Sequence, residues 1–313
     1  MLGLGHSATR LTGQGAAQYP FTPGALFDSP GALGGYWDPS STGGMFQDIK
    51  GRVRVAGPDD PVALILDGAQ GVMAAAGAGP LAQRLSGQGA ELFAAPYSTI
   101  GNFAGNGDGS FTCTGDGSGT SYVYKDGAGI VVGDWYLVSF EVFGFLSGGF
   151  RARVGTSADD AGIGPWQVAN GMAEVLLRGD GAGGNFWIEG TPATQGSVRA
   201  VSVRHLPGLP ALQEGGDSFR PLLMQEPGSG AWYLSNDQAG DRLTVPLPDL
   251  GADATEWRAD ETGVVINGGQ TITAGPRDFP VSQRLYAYGV ANRALTTVET
   301  ANLTAWLNSK RGV

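Results

Sequence analysis

The chain carries few residues suited to acid–base or nucleophilic chemistry. Its histidines are His6 and His205. A Ser-His-Asp arrangement needs a histidine within reach of both partners, whereas His205 follows Arg204 at a strand end and reads as a surface residue. Glycan hydrolysis needs two facing carboxylates. Asp159 and Asp160 are adjacent in a glycine-rich loop, which fits a solvated turn better. Asp108, Asp116 and Asp180 each stand between glycines. A hard cation wants several converging oxygens, but none of the three lies in a complete EF-hand loop, and Asp-Gly is a common turn signal. No cofactor is expected, with a structural Ca²⁺ at a sheet edge as the alternative. Binding chemistry is better provided for. Sugars offer flat C–H faces to aromatic rings and hydroxyls to amides and carboxylates. The run from Gly164 to Asn170 sets Trp166 in a loop with Gln167 and Asn170, and Tyr122 and Tyr124 share one strand face. These five are the candidate ligand-binding residues. The competing reading is that such aromatics fill a core or a subunit contact.

The elements that must position them are strands. From Asp134 the chain alternates, with Tyr136, Val138, Phe140 and Val142 on one face and Leu137, Ser139 and Glu141 on a wetter one. Ser147, Gly148 and Gly149 predict a hairpin turn. The return carries Phe150, Ala152 and Val154 inward and Arg151 and Arg153 outward. Met172–Leu177, Asn185–Glu189 and Ser197–Val203 repeat the pattern between glycine-rich turns. The expected fold class is mainly β: antiparallel, jelly-roll-like β-sandwich domains with one C-terminal α-helix.

Two linkers, Ala69–Leu85 and the proline-bearing Leu206–Pro210, divide the chain. Residues 1–20 form an arm, 21–88 an N-terminal attachment block, 89–206 the central sandwich, and 207–313 a C-terminal β domain closed by a helix over 296–311. Pro61–Leu66 reads as a buried strand and Arg284–Val290 as a central one. In the helix Thr296 and Glu299 make a capping box, and Val298, Leu303, Trp306 and Leu307 an apolar stripe. Leu2 and Leu4 in the arm, with Tyr36 and Trp37, are the candidate residues for attachment to a larger assembly. Whether the blocks on either side of the sandwich are one domain stays open at this stage.

Composition narrows the partners. Over 313 residues the net charge is −10, which argues against nucleic acid, whose affinity comes largely from Lys and Arg contacts. The 54 glycines follow no collagen-like period and imply many tight turns. Cys113 is the lone cysteine, so no intrachain disulfide forms. No apolar run is long enough to span a bilayer, and the opening Met1–Gly5 is too short for a signal peptide. The chain is expected to be soluble and made in the cytoplasm, with no membrane insertion.

Gly35–Ser40, Met45–Asp48 and Pro61–Asp67 together resemble the opening of virion proteins of tailed phages and prophages of alphaproteobacteria. Arg220 and Pro221, Asp241–Val245, Ala291–Glu299 and Leu303–Asn308 are similar to the same group, and Val132–Phe140 with Gly196–Val203 looks like the carbohydrate-binding jelly rolls often carried there. The resemblance covers most of residues 20–313. It departs at Asp67–Gly71, where the group has an Asp-Lys-Ser type turn. It implies a tail fibre, head fibre or spike at the virion surface, made in the host cytoplasm, that adheres to host surface polysaccharide without cleaving it. The implied partners are other virion proteins (capsid, portal or collar, or tail), copies of the chain in a homo-oligomer such as a trimer, and a host glycan. The alternatives are a purely structural virion component, as a head decoration or collar piece, and a polysaccharide depolymerase.

Overall fold

The computed structural model describes residues 21–69, 89–155, 162–179, 184–206, 208–213, 217–236 and 240–313. Before the sandwich come β1 (Gly34–Trp37), β2 (Met45–Phe46) and β3 (Leu64–Ile65). The sandwich holds β4 (Ser98–Ile100), β5 (Phe103–Gly105), β6 (Phe111–Thr114), β7 (Ser121–Lys125) and β8 (Trp135–Ser147). It continues with β9 (Phe150–Val154), β10 (Gly171–Arg178), β11 (Phe186–Gly190) and β12 (Gln195–Leu206). After it come β13 (Ala211–Leu212), β14 (Leu222–Gln225), β15 (Trp232–Ser235) and β16 (Thr244–Leu247). The chain ends with β17 (Gly251–Asp260), β18 (Gly263–Ile272), β19 (Gly275–Asp278), β20 (Ala287–Ala291) and the helix α1 (Thr297–Arg311).

The protein is mainly β with a single C-terminal α-helix among the described residues. The central region is a jelly-roll-like sandwich of a five-stranded sheet, β10-β8-β12-β6-β5, on a four-stranded sheet, β4-β7-β11-β9. Tyr136, Val138, Phe140 and Val142 face Phe150, Ala152, Val154, Phe186 and Ile188 in one buried core. The turn at Ser147–Gly149 differs from the expected hairpin: β8 and β9 belong to different sheets, so the chain rounds a corner of the sandwich there. Gly148 is at φ 75°, and a Cβ on it would lie 2.5 Å from the Thr194 Cα. The Thr194 hydroxyl meanwhile donates to Gly149 O and accepts from Gly149 N.

The blocks on either side of the sandwich, whose separateness the sequence left open, share their sheets. In β1, Tyr36 sits opposite Gly289 and Trp37 opposite Tyr288 of β20, and Ile65 of β3 pairs with Ala211 of β13. The resulting frame has one sheet ordered β1-β20-β17-β18 and another ordered β19-β16-β13-β3-β2, plus the hairpin β14-β15. Trp37 stacks on Tyr288 at 5.7 Å and packs on Phe279 at 5.2 Å in its core. The capping box at Thr296 and Glu299 forms, and Leu303 and Leu307 are fully buried against Trp257, Ala259 and Tyr286. Val298 is 69% exposed and leaves the expected stripe, because it lies in the first turn, before the helix meets the sheet.

Frame and sandwich meet along an apolar seam of Phe46, Leu64, Leu66 and Leu212 on one side and Trp135, Leu137, Leu176 and Leu206 on the other. The strand face of β8 expected to be wet is therefore dry at the Leu137 end. Beside the seam, the chain leaves the frame after Asp67 and rejoins it near Leu209. The Asp67 carboxylate is buried and accepts from Tyr36 N and Ala69 N through Oδ1 and from Leu209 N through Oδ2. Burial pushes this carboxyl up to about 7, while the three backbone N–H groups pull the other way.

Candidate functional site

The outer face of the four-stranded sheet gathers aromatic and charged side chains by strand alternation alone. Val123, Ile188, Phe150, Ala152 and Val154 point into the core. Their neighbours Tyr122, Tyr124, Trp187, Glu189, Arg151 and Arg153 therefore project outward. Register aligns them in two rows across the strands. Trp187 lies opposite Tyr124 on one side and Arg153 on the other, and Glu189 lies between Tyr122 and Arg151. Beyond β9 the loop is laid along the sheet edge, with Gly164 N donating to Ala152 O (2.8 Å) and Gln167 N to Phe150 O (2.7 Å). That extension brings Trp166, 38% exposed, beside Arg151, whose Cζ lies 4.2 Å from the ring centroid.

Glu189 is the electrostatic centre, only 5% exposed. Arg151 grips it with two bonds, Nε at 2.8 Å and Nη2 at 3.1 Å, and Arg153 reaches it at 3.4 Å. A planar guanidinium can satisfy a carboxylate through its edge and an aromatic ring through its face. Arg151 does both, and Arg153 lies 6.0 Å from the Trp187 ring. The arrangement holds ring faces and N–H donors at a fixed spacing, which suits a ligand with apolar faces and hydroxyl edges. Among the described residues of these strands the face carries one carboxylate, where glycoside hydrolysis uses two.

Of the residues expected from the sequence, the structure brings Trp166, Tyr122 and Tyr124 onto this one face. Gln167 and Asn170 shape the loop instead: Gln167 Nε2 donates to Ala169 O (3.0 Å), and Asn170 Oδ1 accepts from Phe145 N (2.9 Å). Trp187, Glu189, Arg151 and Arg153 complete the face. Their alternation was readable, but nothing in the sequence says that β11 lies between β7 and β9. Tyr36 and Trp37, expected at an attachment surface, are buried in the frame: Tyr36 packs edge-on against Trp306 of α1 at 5.9 Å, and Trp37 packs on Phe279 and Tyr288 on the opposite face while its Nε1 donates to Leu209 O. Leu2, Leu4, His6, Asp159, Asp160 and Asp180 lie outside the described residues.

The remaining expectations concern catalysis and metal. His205 Nε2 is 3.1 Å from Asp134 Oδ2, and both side chains are over a third exposed. The adjacent Tyr136 hydroxyl accepts from Val131 N. Asp108 and Asp116 close turns by accepting from the backbone and hydroxyls of Ser110 and Ser118. Those bonds hold both carboxyls below the usual range, Asp116 at about 2. No group of three or more His, Cys, Asp or Glu is placed to hold a metal among the described residues. No helix of the described residues is long and apolar enough to cross a membrane. A cavity of about 830 Å³ opens on the frame sheet, lined by Leu212, Phe219, Arg242, Pro246 and Pro276, with Arg178 contributed by the sandwich.

No family model matches the chain, and no curated protein does. Among solved structures, the allantoicase of Saccharomyces cerevisiae is similar at 10% identity over 60% of this chain and 78% of that one, with a TM-score of 0.17. A likeness that faint carries no argument.

Proposed function

We propose that this chain is a non-enzymatic adhesin whose sandwich binds polysaccharide on the outer face of its four-stranded sheet. The observation that carries the reading is the pair of rows Tyr124–Trp187–Arg153 and Tyr122–Glu189–Arg151, extended by Trp166. Half-exposed aromatics next to paired charges match the surface of a sugar, which is apolar on its ring faces and polar around its edge. Among the described residues of these strands the one carboxylate, Glu189, is engaged by Arg151 and Arg153, which supports binding over cleavage. Placement at the surface of a virion, as a fibre or spike in a homo-oligomer with other virion proteins, rests on the resemblance of residues 20–313. The test is binding of the purified protein to host capsule and lipopolysaccharide fractions, with Trp187→Ala and Trp166→Ala alongside. Retention by the native protein that both variants lose, with no sugar released, is the expected result. Sugar release would make it a depolymerase. No retention at concentrations well above those of a multivalent particle would favour the structural component, with this face covered by another chain.

A further inference from the structure

The loop that carries Trp166 is held from two sides, and one of them belongs to the frame. On the sandwich side it is tied to β9 through Gly164 N and Gln167 N. On the other side Lys50 Nζ donates to Ile163 O at 2.5 Å. Lys50 is itself fixed. Its backbone carbonyl accepts from Leu176 N of β10 (2.9 Å). The turn that presents it is organised by Asp48, whose carboxylate accepts from Lys50 N, Arg52 N and Val53 N. Next to it Gly51, at φ 68°, lies so close to Leu176 that a Cβ would come within 2.7 Å of that side chain.

We infer that Lys50, from the frame, is a positioning residue for the Trp166 end of the sandwich face. The inference rests on the reading of that face as a binding surface. A charged donor on a carbonyl is a stronger tie than a neutral one, and this one fixes the residue directly before Gly164, where the loop joins β9. Lys50 touches no ligand in this scheme; it limits how far Trp166 moves off Arg151.

The test compares Lys50→Met and Lys50→Arg with Trp166→Ala in the full chain. Binding is measured by affinity electrophoresis in gels containing host capsular polysaccharide, and the hydrogen exchange of the Gly164 and Gln167 amides is measured without sugar. Lys50→Met is expected to weaken binding about tenfold, to speed exchange at both amides, and to leave the thermal midpoint nearly unchanged. Lys50→Arg, which keeps a charged donor, is expected to restore much of both. Unchanged exchange in Lys50→Met overturns the inference whatever the binding. Native-like binding by Lys50→Met, where Trp166→Ala has lost it, overturns the inference but leaves the binding face standing. Native-like binding by Trp166→Ala removes the reading itself, and the inference with it.

Discussion

The molecule contains two clusters built from the same residue types. In the frame, Trp37 stacks on Tyr288, whose hydroxyl donates to Glu256 (2.7 Å), and Arg277 grips that carboxylate at 2.7 and 3.2 Å. On the sandwich, Trp166 stacks on Arg151, which grips Glu189 beside Tyr122, and Trp187 lies in the next row. In the frame the aromatics are sealed between two sheets, with Trp37 and Tyr288 both at 1% exposure. In the sandwich the Glu189 carboxylate is buried, its Arg151 partner is part-buried, and the rings are left partly in water. Aromatic and charged composition therefore says little about role. What separates a core from a binding face is which partner has been desolvated.

The sharpest way to break this comparison is to truncate one tryptophan from each cluster. Trp37→Ala should destabilise the protein by about 3–5 kcal/mol, because a large buried ring leaves a cavity between stiff sheets; urea unfolding measures it. A value near zero would mean that the frame does not depend on this core. Trp187→Ala should cost less than about 1 kcal/mol of stability but about 2 kcal/mol of sugar binding, roughly thirtyfold, as for a central aromatic anchor. Equal losses of stability in both variants would erase the distinction between the clusters.

Acidity sharpens the comparison at a third place, the crossing between the two bodies. Folded Asp67 binds its proton more tightly than it does in the unfolded chain. Its contribution is therefore fully present below about pH 4 and is lost as pH rises through about 7. In Asp67→Asn the amide oxygen can still accept from Tyr36 and Ala69, but the NH₂ group confronts Leu209 N–H. Below about pH 4 the variant should be less stable than the native protein by about 1 kcal/mol, and this deficit should shrink as pH rises through about 7, giving a flatter stability profile. A profile parallel to the native one would place the titration elsewhere. The smallest effect is expected at Val298→Ser, within about 0.5 kcal/mol, because that side chain meets no sheet. A larger loss would mean the first helical turn packs after all.

What was legible in the sequence followed local periodicity. The alternation in β7, β8 and β9, the capping box at Thr296, and the sharing of one face by Tyr122 and Tyr124 all follow from spacing. Features that depend on which strands become neighbours were not legible. β17 is a central strand of ten residues, but its run from Gly251 to Asp260 is rich in Ala and Asp and interrupted by two register shifts, so pairing on both sides makes it a strand. Trp187 and Glu189 were readable as outward-facing, but not as neighbours of Tyr124 and Arg153 in the first case and of Tyr122 and Arg151 in the second. Tyr36 and Trp37 read as attachment residues because the groups that bury them, Trp306 of α1 against Tyr36 and Phe279 and Tyr288 against Trp37, lie about 240 to 270 residues later.

The Asp67 carboxylate receives Ala69 N and Leu209 N on its two oxygens, so the points where the chain leaves and rejoins the frame are only a few ångströms apart. Everything between them is, in the topological sense, an excursion that begins and ends at one place. A gene encoding this frame could exchange the excursion for another domain, or for a short loop, without re-threading a single frame strand. The requirement on any replacement is modest: it must cover Phe46, Leu64, Leu66 and Leu212, which the present sandwich keeps dry. Diversification of such a protein would then proceed by swapping whole domains at one junction, while the frame kept its sequence.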